Sequence, residues 1–324
     1  MSDWRGKSVL VTGGQGFVGS WLAERLLDSG AKVVVPRRDV EPDSRFRTDG
    51  IEARCVLAFA DVLDHESLVR ILNEHEVSAV FHLAAQTIVA TANRSPLSTF
   101  DANVRGTYNL LEACRVLGAI QAVIVASSDK AYGRHEELPY REGSPLRPSY
   151  PYDVSKACAD LIARSYAVTY GMPVAVTRLA NVYGGGDLNW SRIVPDTARA
   201  LARGERPVIR SDGSPERDYL YVEDAVSAYL AIADSLERQE LYGRAWNAGW
   251  GSPHSVLTVV NGLIEASGRD AEPDIRGHGV PVGEIDRQYL DSSAMREELA
   301  WTPSVDLPEG LRRSWGWYSE RLAG

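Results

Sequence analysis

The chain has 324 residues, 44% of them hydrophobic and 24% charged, with a net charge of −9 and a pI near 5.3. That apolar fraction excludes a disordered chain, and the acidic balance excludes a polyanion spread over the whole surface, so nucleic acid is not an expected partner. No apolar run reaches the ~18 residues of a membrane span, and residues 1–7 lead directly into an apolar strand without a signal segment, so a cytoplasmic protein with no membrane partner is expected.

Ser8-Val-Leu-Val-Thr12 is a continuous β-branched run, the mark of a strand buried on both faces. Glycines follow at 13, 14, 16 and 19, and then a helix with Leu22, Leu26 and Leu27 on one side and Gly30 as its stop. Val33–Val35 and Cys55–Phe59 read as strands two and three. Helix-like spacing at Leu68, Ile71 and Leu72 leads to a strand over Ala79–Leu83, and a helical stretch over 101–117 leads to another over Ala122–Ala126. A helix from about Val154 to Tyr170 precedes a strand over Val174–Thr177. This alternation predicts a doubly wound α/β fold with a parallel sheet covered on both faces. After Arg178 the texture changes to Gly, Asn, Asp and Arg, with a short helix opened by Pro195 and closed by Gly204. The expected organisation is a dinucleotide-binding domain over 1–180, to which 219–248 returns, and a smaller mixed α/β substrate lobe over 181–218 and 249–324. Cys55, Cys114 and Cys158 sit in apolar segments and read as core residues in a reducing compartment, with no disulfide framework and no metal site.

The glycine run lies between a strand and a helix, where a dinucleotide's pyrophosphate can approach backbone N–H groups closely. An ordinary strand-to-helix turn also takes glycines, so the flanking elements carry the argument. Gly13, Gln15, Gly16, Phe17, Val18 and Gly19 are the candidates there. The cofactor's ribose belongs at the end of strand two, about 20 residues on. The chain reads Pro36-Arg37-Arg38-Asp39: an arginine suits the 2′-phosphate of NADP, whereas Asp39 suits the 2′-hydroxyl of NAD, and both cofactors fit.

Tyr152 and Lys156 are four apart, so on a helix they share a face. An ammonium beside a phenol lowers the tyrosine pKa and makes a usable base, although a surface pair has the same spacing. Ser128, Asp129 and Lys130 follow the strand ending at Ala126, at the carboxyl edge where such folds bind ligands. A serine can hold a substrate hydroxyl, an aspartic acid can protonate a leaving one, and a lysine of depressed pKa can act as base. Turns also favour these residue types for backbone reasons. Only four lysines occur, and Lys130 and Lys156 are two of them. His82, inside a strand, reads as structural.

The glycine loop, Asp61-Val62, Leu83-Ala84-Ala85-Gln86, Asn103 with Gly106-Thr107, Ser128, Tyr152, Lys156, Arg178-Leu-Ala-Asn181-Val-Tyr-Gly184 and Arg217-Asp218-Tyr219 together resemble the extended short-chain dehydrogenase/reductase superfamily, over nearly the whole chain. Ser127-Ser128-Asp129-Lys130 is similar to the signature of nucleotide-sugar 4,6-dehydratases, and most closely of their CDP-glucose branch. Sister dehydratases mostly carry glutamate where Lys130 stands. Asn181–Asp187 and Arg192–Asp196 are also similar to that branch, while Arg217-Asp218-Tyr219 is closer to the sugar-epimerase pattern.

The resemblance implies a nicotinamide cofactor and a nucleotide-diphosphate hexose. Asp61, Val62, Leu83, Ala84 and Ala85 would line the cofactor, with Arg37 or Arg38 at its ribose. Tyr152 would take the proton of the 4′-hydroxyl while C4′ gives hydride, Ser128 would hold that oxygen, and Lys156 would bind the nicotinamide ribose. Asp129 would protonate the departing 6′-hydroxyl. Lys130 would either take the C5′ proton or only pair with Asp129. Asn181 and Arg217 would contact the diphosphate, with Arg287 a further candidate, and Gln86, Asn103, Arg192 and Val194 would complete the substrate site. An epimerase or reductase of the same superfamily is the alternative; it needs Tyr152 and Lys156 but has no use for an acid at 129. A cofactor-sensing regulator on this fold can lose the tyrosine–lysine pair, which this chain keeps. The helices near 101–117 and 154–170 resemble those that pair subunits, implying a homodimer or homotetramer.

Overall fold

The computed structural model describes residues 3–279 and 285–322; Met1, Ser2, Ala323, Gly324 and the 280–284 segment, with Glu284, lie outside it. In chain order the strands are β1 Ser8–Thr12, β2 Lys32–Arg37, β3 Val56–Phe59, β4 Ala79–His82, β5 Ala122–Ala126, β6 Val174–Leu179 and β7 Asn181–Tyr183. They continue with β8 Val208–Ile209, β9 Glu216–Tyr221, β10 Ala245–Ala248, β11 Pro253–Ser255, β12 Asp274–Ile275 and β13 Arg287–Gln288. Seven of them form one sheet in the order β10-β6-β5-β4-β1-β2-β3. Every pairing in it is parallel. This is the doubly wound α/β fold that the alternating segments predict.

The apolar runs in these strands have a simple cause. Val9 and Val11 enter the core on one face while Leu10 enters the core on the other, and Val33/Val35 against Val34 and Phe81 against Val80 repeat the division. Successive side chains point to opposite faces, so a strand covered by helices on both sides is apolar at nearly every position, and the polar side chains of Thr12 and His82 are hydrogen-bonded to each other. Each such fully buried Leu, Val or Phe contributes about 1.5–3 kcal/mol of apolar burial.

Strand order reverses between β1 and β4, which opens a crevice at the carboxyl ends of these strands. The second lobe stands over it. Strand β9 pairs with β7, β11 and β13, β12 pairs with β8, and the helices Ile193–Ala202, Val256–Ser267 and Leu307–Leu322 pack together around a separate core. Asp218 braces the second lobe internally, and Asp224 ties it to the first. Asp218 accepts the backbone N–H groups of Trp250, Gly251 and Leu290, and Asp224 accepts those of Ser304 and Val305.

Two helices start earlier than the sequence predicts. One runs Pro151–Tyr170 instead of opening near Val154, because a proline at the first helical position has no N–H to lose. The other runs Ile193–Ala202, with Pro195 inside its first turn. The stretch read as helix from 101 begins with a wide π-helical turn, Asp101–Arg105, before the α-helix Gly106–Leu117. Among the described residues no helix is long and apolar enough to cross a membrane.

Candidate active site

A cavity of about 900 Å³ lies under the second lobe, at the carboxyl edge of the sheet. Gly13, Gly16, Phe17, Val18 and Gly19 line one end of it, together with Leu83, Ala84 and Ala85 after β4. Glycine is required here by space. A Cβ on Gly19 would sit 2.1 Å from the Gly13 carbonyl oxygen, and one on Gly13, whose φ is +70°, would sit 2.8 Å from the Ala84 nitrogen. The loop is fixed from below by Thr12, whose hydroxyl accepts the Ala84 N–H and bonds His82. Burial holds the His82 imidazole neutral, with its pKa down to about 3, and it also bonds Thr107. His82 is therefore a structural link between β1, β4 and the helix behind them.

A dinucleotide fits this end. Gly13, Gly16 and Gly19 present bare backbone there, and the buried Gln15 Oε1 has no hydrogen-bond partner among the described residues, while its amide nitrogen donates to the Asp39 carbonyl. Arg37 pairs with Glu52, and Arg38 with Asp39 and Asp61, at the ribose end of β2. Asp61 also accepts the Leu63 N–H, and Val62 packs against Gly106.

Deeper in the cavity Ser128, Asp129, Lys130, Tyr152, Asp153 and Lys156 share one wall. Asp129–Tyr132 is a 3₁₀ turn, and Ser128 starts it by accepting the Lys130 N–H. The Ser128 hydroxyl donates to Asp129 Oδ1 at 3.0 Å. Asp129 Oδ2 is buried with no partner among the described residues. Burial raises the Asp129 pKa against the opposing pull of Lys130, which favours a protonated acid.

Tyr152 and Lys156 occupy the same helix, but their electrostatics differ from the sequence expectation. Lys156 Nζ donates to the Ala126 carbonyl at 2.9 Å, and burial lowers its pKa to about 8. The Tyr152 phenol is pushed up to about 12 by its enclosure; the groups that favour its ionised form are Arg192 and Ser128. The ammonium is hydrogen-bonded to a backbone carbonyl, and it is not among the groups that favour the ionised phenol.

On the substrate side the cavity is lined by Asn181, Arg192, Val194 and Arg217. Asn181 Nδ2 is buried without a partner among the described residues. Arg192 pairs with Asp187 at 2.9 Å, and Arg217 donates to the Glu216 and Asp286 carbonyls. Other candidates stand back from the wall. Asn103 accepts the Gln86 N–H and donates to the Gln86 carbonyl and Ser155, so Gln86 and Asn103 brace the loop after β4 onto the Pro151–Tyr170 helix. The Arg287 guanidinium pairs with Glu216 at 2.7 Å and is half exposed, outside the lining. Arg178 is wholly buried in a two-pronged pair with Asp160 and is structural. Asp153 and Arg210 line the cavity without having been singled out from sequence. An acid directly after the motif tyrosine was the available signal for the first.

The model of the NAD dependent epimerase/dehydratase family matches residues 9–249. The chain belongs to this family. It is 32% identical to a CDP-glucose 4,6-dehydratase of Salmonella typhimurium, across 99% of this chain and 93% of that protein. It is 31% identical to a UDP-glucose 4-epimerase of Mycolicibacterium smegmatis, across 94% and 96%. Among solved structures, a UDP-glucose 4-epimerase of Thermotoga maritima superposes with a TM-score of 0.88 at 30% identity, covering 97% of this chain and 99% of that one. A dTDP-glucose 4,6-dehydratase of Streptomyces venezuelae, solved with NAD bound, gives 0.86 at 29% identity and 97% of both chains. The chain is thus an enzyme of a nicotinamide-dependent family whose members modify nucleotide sugars.

Proposed function

We infer that the protein is a nucleotide-sugar 4,6-dehydratase, converting an NDP-hexose, with CDP-glucose first in line, to the 4-keto-6-deoxy sugar. The observation that carries this reading is Asp129: a carboxyl buried on the cavity wall, shifted toward its protonated form, with one oxygen unpartnered. An epimerase has no step for such an acid. The similarity to epimerases of equal coverage keeps that activity as the second reading.

NAD is the proposed cofactor. Arg37 and Arg38 are already paired with Glu52, Asp39 and Asp61, so neither guanidinium is held ready for a 2′-phosphate. When bound, the nicotinamide accepts hydride from C4′ and returns it to C6′, so no external reductant is consumed. Gly13, Gly16 and Gly19 would hold the pyrophosphate and Lys156 the nicotinamide ribose. Tyr152 takes the proton of the 4′-hydroxyl, with Arg192 and Ser128 favouring its ionised form. Asp129 gives its proton to the 6′-hydroxyl, which departs as water. Asn181 and Arg217 would hold the diphosphate, arginine offering a fork of donors to it. The second lobe stands over the site, and a pair of subunits joined through the Gly106–Leu117 and Pro151–Tyr170 helices is the proposed assembly.

The test is a substrate deuterated at C4′. A dehydratase delivers the label to the C6′ methyl of the product, and an epimerase returns it to C4′.

A further inference from the structure

Water cannot leave from C6′ until the C5′ proton is taken; with Lys156 assigned to the ribose and bonded to the Ala126 carbonyl, the cavity wall holds two further groups beside Asp129 for that task, Lys130 and Asp153. In the sugar, C5′ lies between C4′, whose oxygen Tyr152 serves, and C6′, whose oxygen Asp129 serves. The group that reaches C5′ must therefore lie between Tyr152 and Asp129. Asp153 directly follows Tyr152, in the first turn of the Pro151–Tyr170 helix, and is buried. That helix packs against the Asp129–Tyr132 turn. Asp153 lies within electrostatic reach of both neighbours, of Lys130 and of the Tyr140 phenol.

We propose that Asp153 is the catalytic base that removes the C5′ proton, and that Lys130 is the positioning charge that keeps its carboxylate ionised. This rests on the dehydratase reading. Acids are common at helix starts for backbone reasons, but such a residue is ordinarily at the surface, whereas Asp153 faces a cavity beside a second buried acid with an unpartnered oxygen. Burial raises the Asp153 pKa to about 6 while Lys130 opposes the rise. The group is thereby a stronger base than an ordinary carboxylate and is still ionised at neutrality. Of the charged and titratable groups facing it, Lys130 favours the anion, while Asp129, when ionised, disfavours it.

The step balances within the site. After C4′ is oxidised, the Asp153 carboxylate takes the C5′ proton, and the C5′–H electron pair becomes the C5′=C6′ π bond. The C6′–O bond breaks, and Asp129 protonates the departing hydroxyl. Hydride then enters at C6′ and Asp153 returns a proton to C5′. The O4′ proton collected by Tyr152 matches the one Asp129 gives.

The test is solvent exchange at C5′ of the 4-keto-6-deoxy product in D2O, read by NMR, alongside water loss read by mass spectrometry. Asp153→Asn is expected to lower both by at least about 100-fold. Oxidation at C4′, read as reduced-nicotinamide absorbance on mixing with substrate, persists. Asp153→Glu, which keeps a carboxylate at the helix start, regains part of the exchange even where the Asn variant folds poorly. Lys130→Met keeps measurable exchange, with its acid limb moved to higher pH. The assignment is overturned if Asp153→Asn exchanges C5′ normally, or if it loses C4′ oxidation in parallel with exchange. It is equally overturned if Lys130→Met alone abolishes exchange. Wild-type protein that neither exchanges C5′ nor releases water from any nucleotide hexose overturns the dehydratase reading itself.

Discussion

Replacing Asp129 by asparagine separates catalysis from folding at the residue on which the reading turns. Asparagine has the same shape as a protonated aspartic acid, and its Oδ1 still accepts the Ser128 hydroxyl that now bonds Asp129 at 3.0 Å. Burial raises the Asp129 pKa and so favours the neutral acid, the form that asparagine mimics. A hydrogen bond of this kind is worth about 1 kcal/mol, so the melting temperature is expected to move by no more than about 2–4 °C. The chemical loss is much larger. A general acid contributes roughly 10²–10⁴-fold, or about 3–5.5 kcal/mol of barrier at 1.36 kcal/mol per decade. Asparagine cannot protonate a leaving hydroxyl, so water loss should fall by that factor while oxidation at C4′ continues. Stopped-flow absorbance of the reduced nicotinamide and mass spectrometry of the sugar follow the two steps separately. Water loss within tenfold of wild type would refute Asp129 as the acid. A variant destabilised by several kcal/mol would show instead that the native carboxylate is an ionised structural partner.

Three further outcomes follow from the same geometry. Gly19→Ala places a methyl 2.1 Å from the Gly13 oxygen, so the loop must open by about 1 Å or more to reach normal contact; the purified variant should lose bound dinucleotide, read from its absorbance ratio, and retention of the cofactor counts against the cradle. Arg178→Met leaves the fully buried Asp160 with only the more distant Arg164, 3.9 Å away, and should cost about 3–5 kcal/mol in urea unfolding; adding Asp160→Leu should restore most of it, and an additive double variant would deny the pairing. Lys156 has a folded pKa of about 8 against an ordinary 10.5. Between those values the unfolded chain binds more protons, so the stability of cofactor-free protein relative to Lys156→Met should rise with pH across that window, and a flat difference refutes its burial as a charge.

The fold was legible because its central strands are covered on both faces, which leaves uninterrupted apolar runs separated by helix-period segments. The grouping of the candidate residues was legible too, since Ser128, Asp129, Lys130, Tyr152 and Lys156 come from two short stretches that the fold brings to one cavity. What the sequence hid depends on contacts between distant residues. Arg37 and Arg38 look free in sequence, yet Glu52 and Asp61 reach them only once β2 and β3 pair. Arg287 looks ready for a phosphate, but β13 lies beside β9 and brings Glu216 to it. Gln86 and Asn103 look like substrate contacts, yet neither lines the cavity: the Asn103 amide bonds the Gln86 backbone, and the Gln86 Oε1 accepts the Ile88 N–H. The Tyr152 pKa was misjudged for a related reason: helical spacing shows which side chains share a face, but enclosure and the Ala126 carbonyl decide their charges. Asp153 lay in plain view, and only its burial against the Asp129 turn gives it a role.

The central claim is tested most directly by incubating the protein with CDP-, GDP-, UDP- and dTDP-hexoses, without added reductant, and weighing the sugars by mass spectrometry. Loss of one water from a nucleotide hexose, with CDP-glucose the expected substrate, is the predicted result. A new sugar of unchanged mass would contradict it, make the protein an epimerase, and return Asp129 to the role of a turn residue.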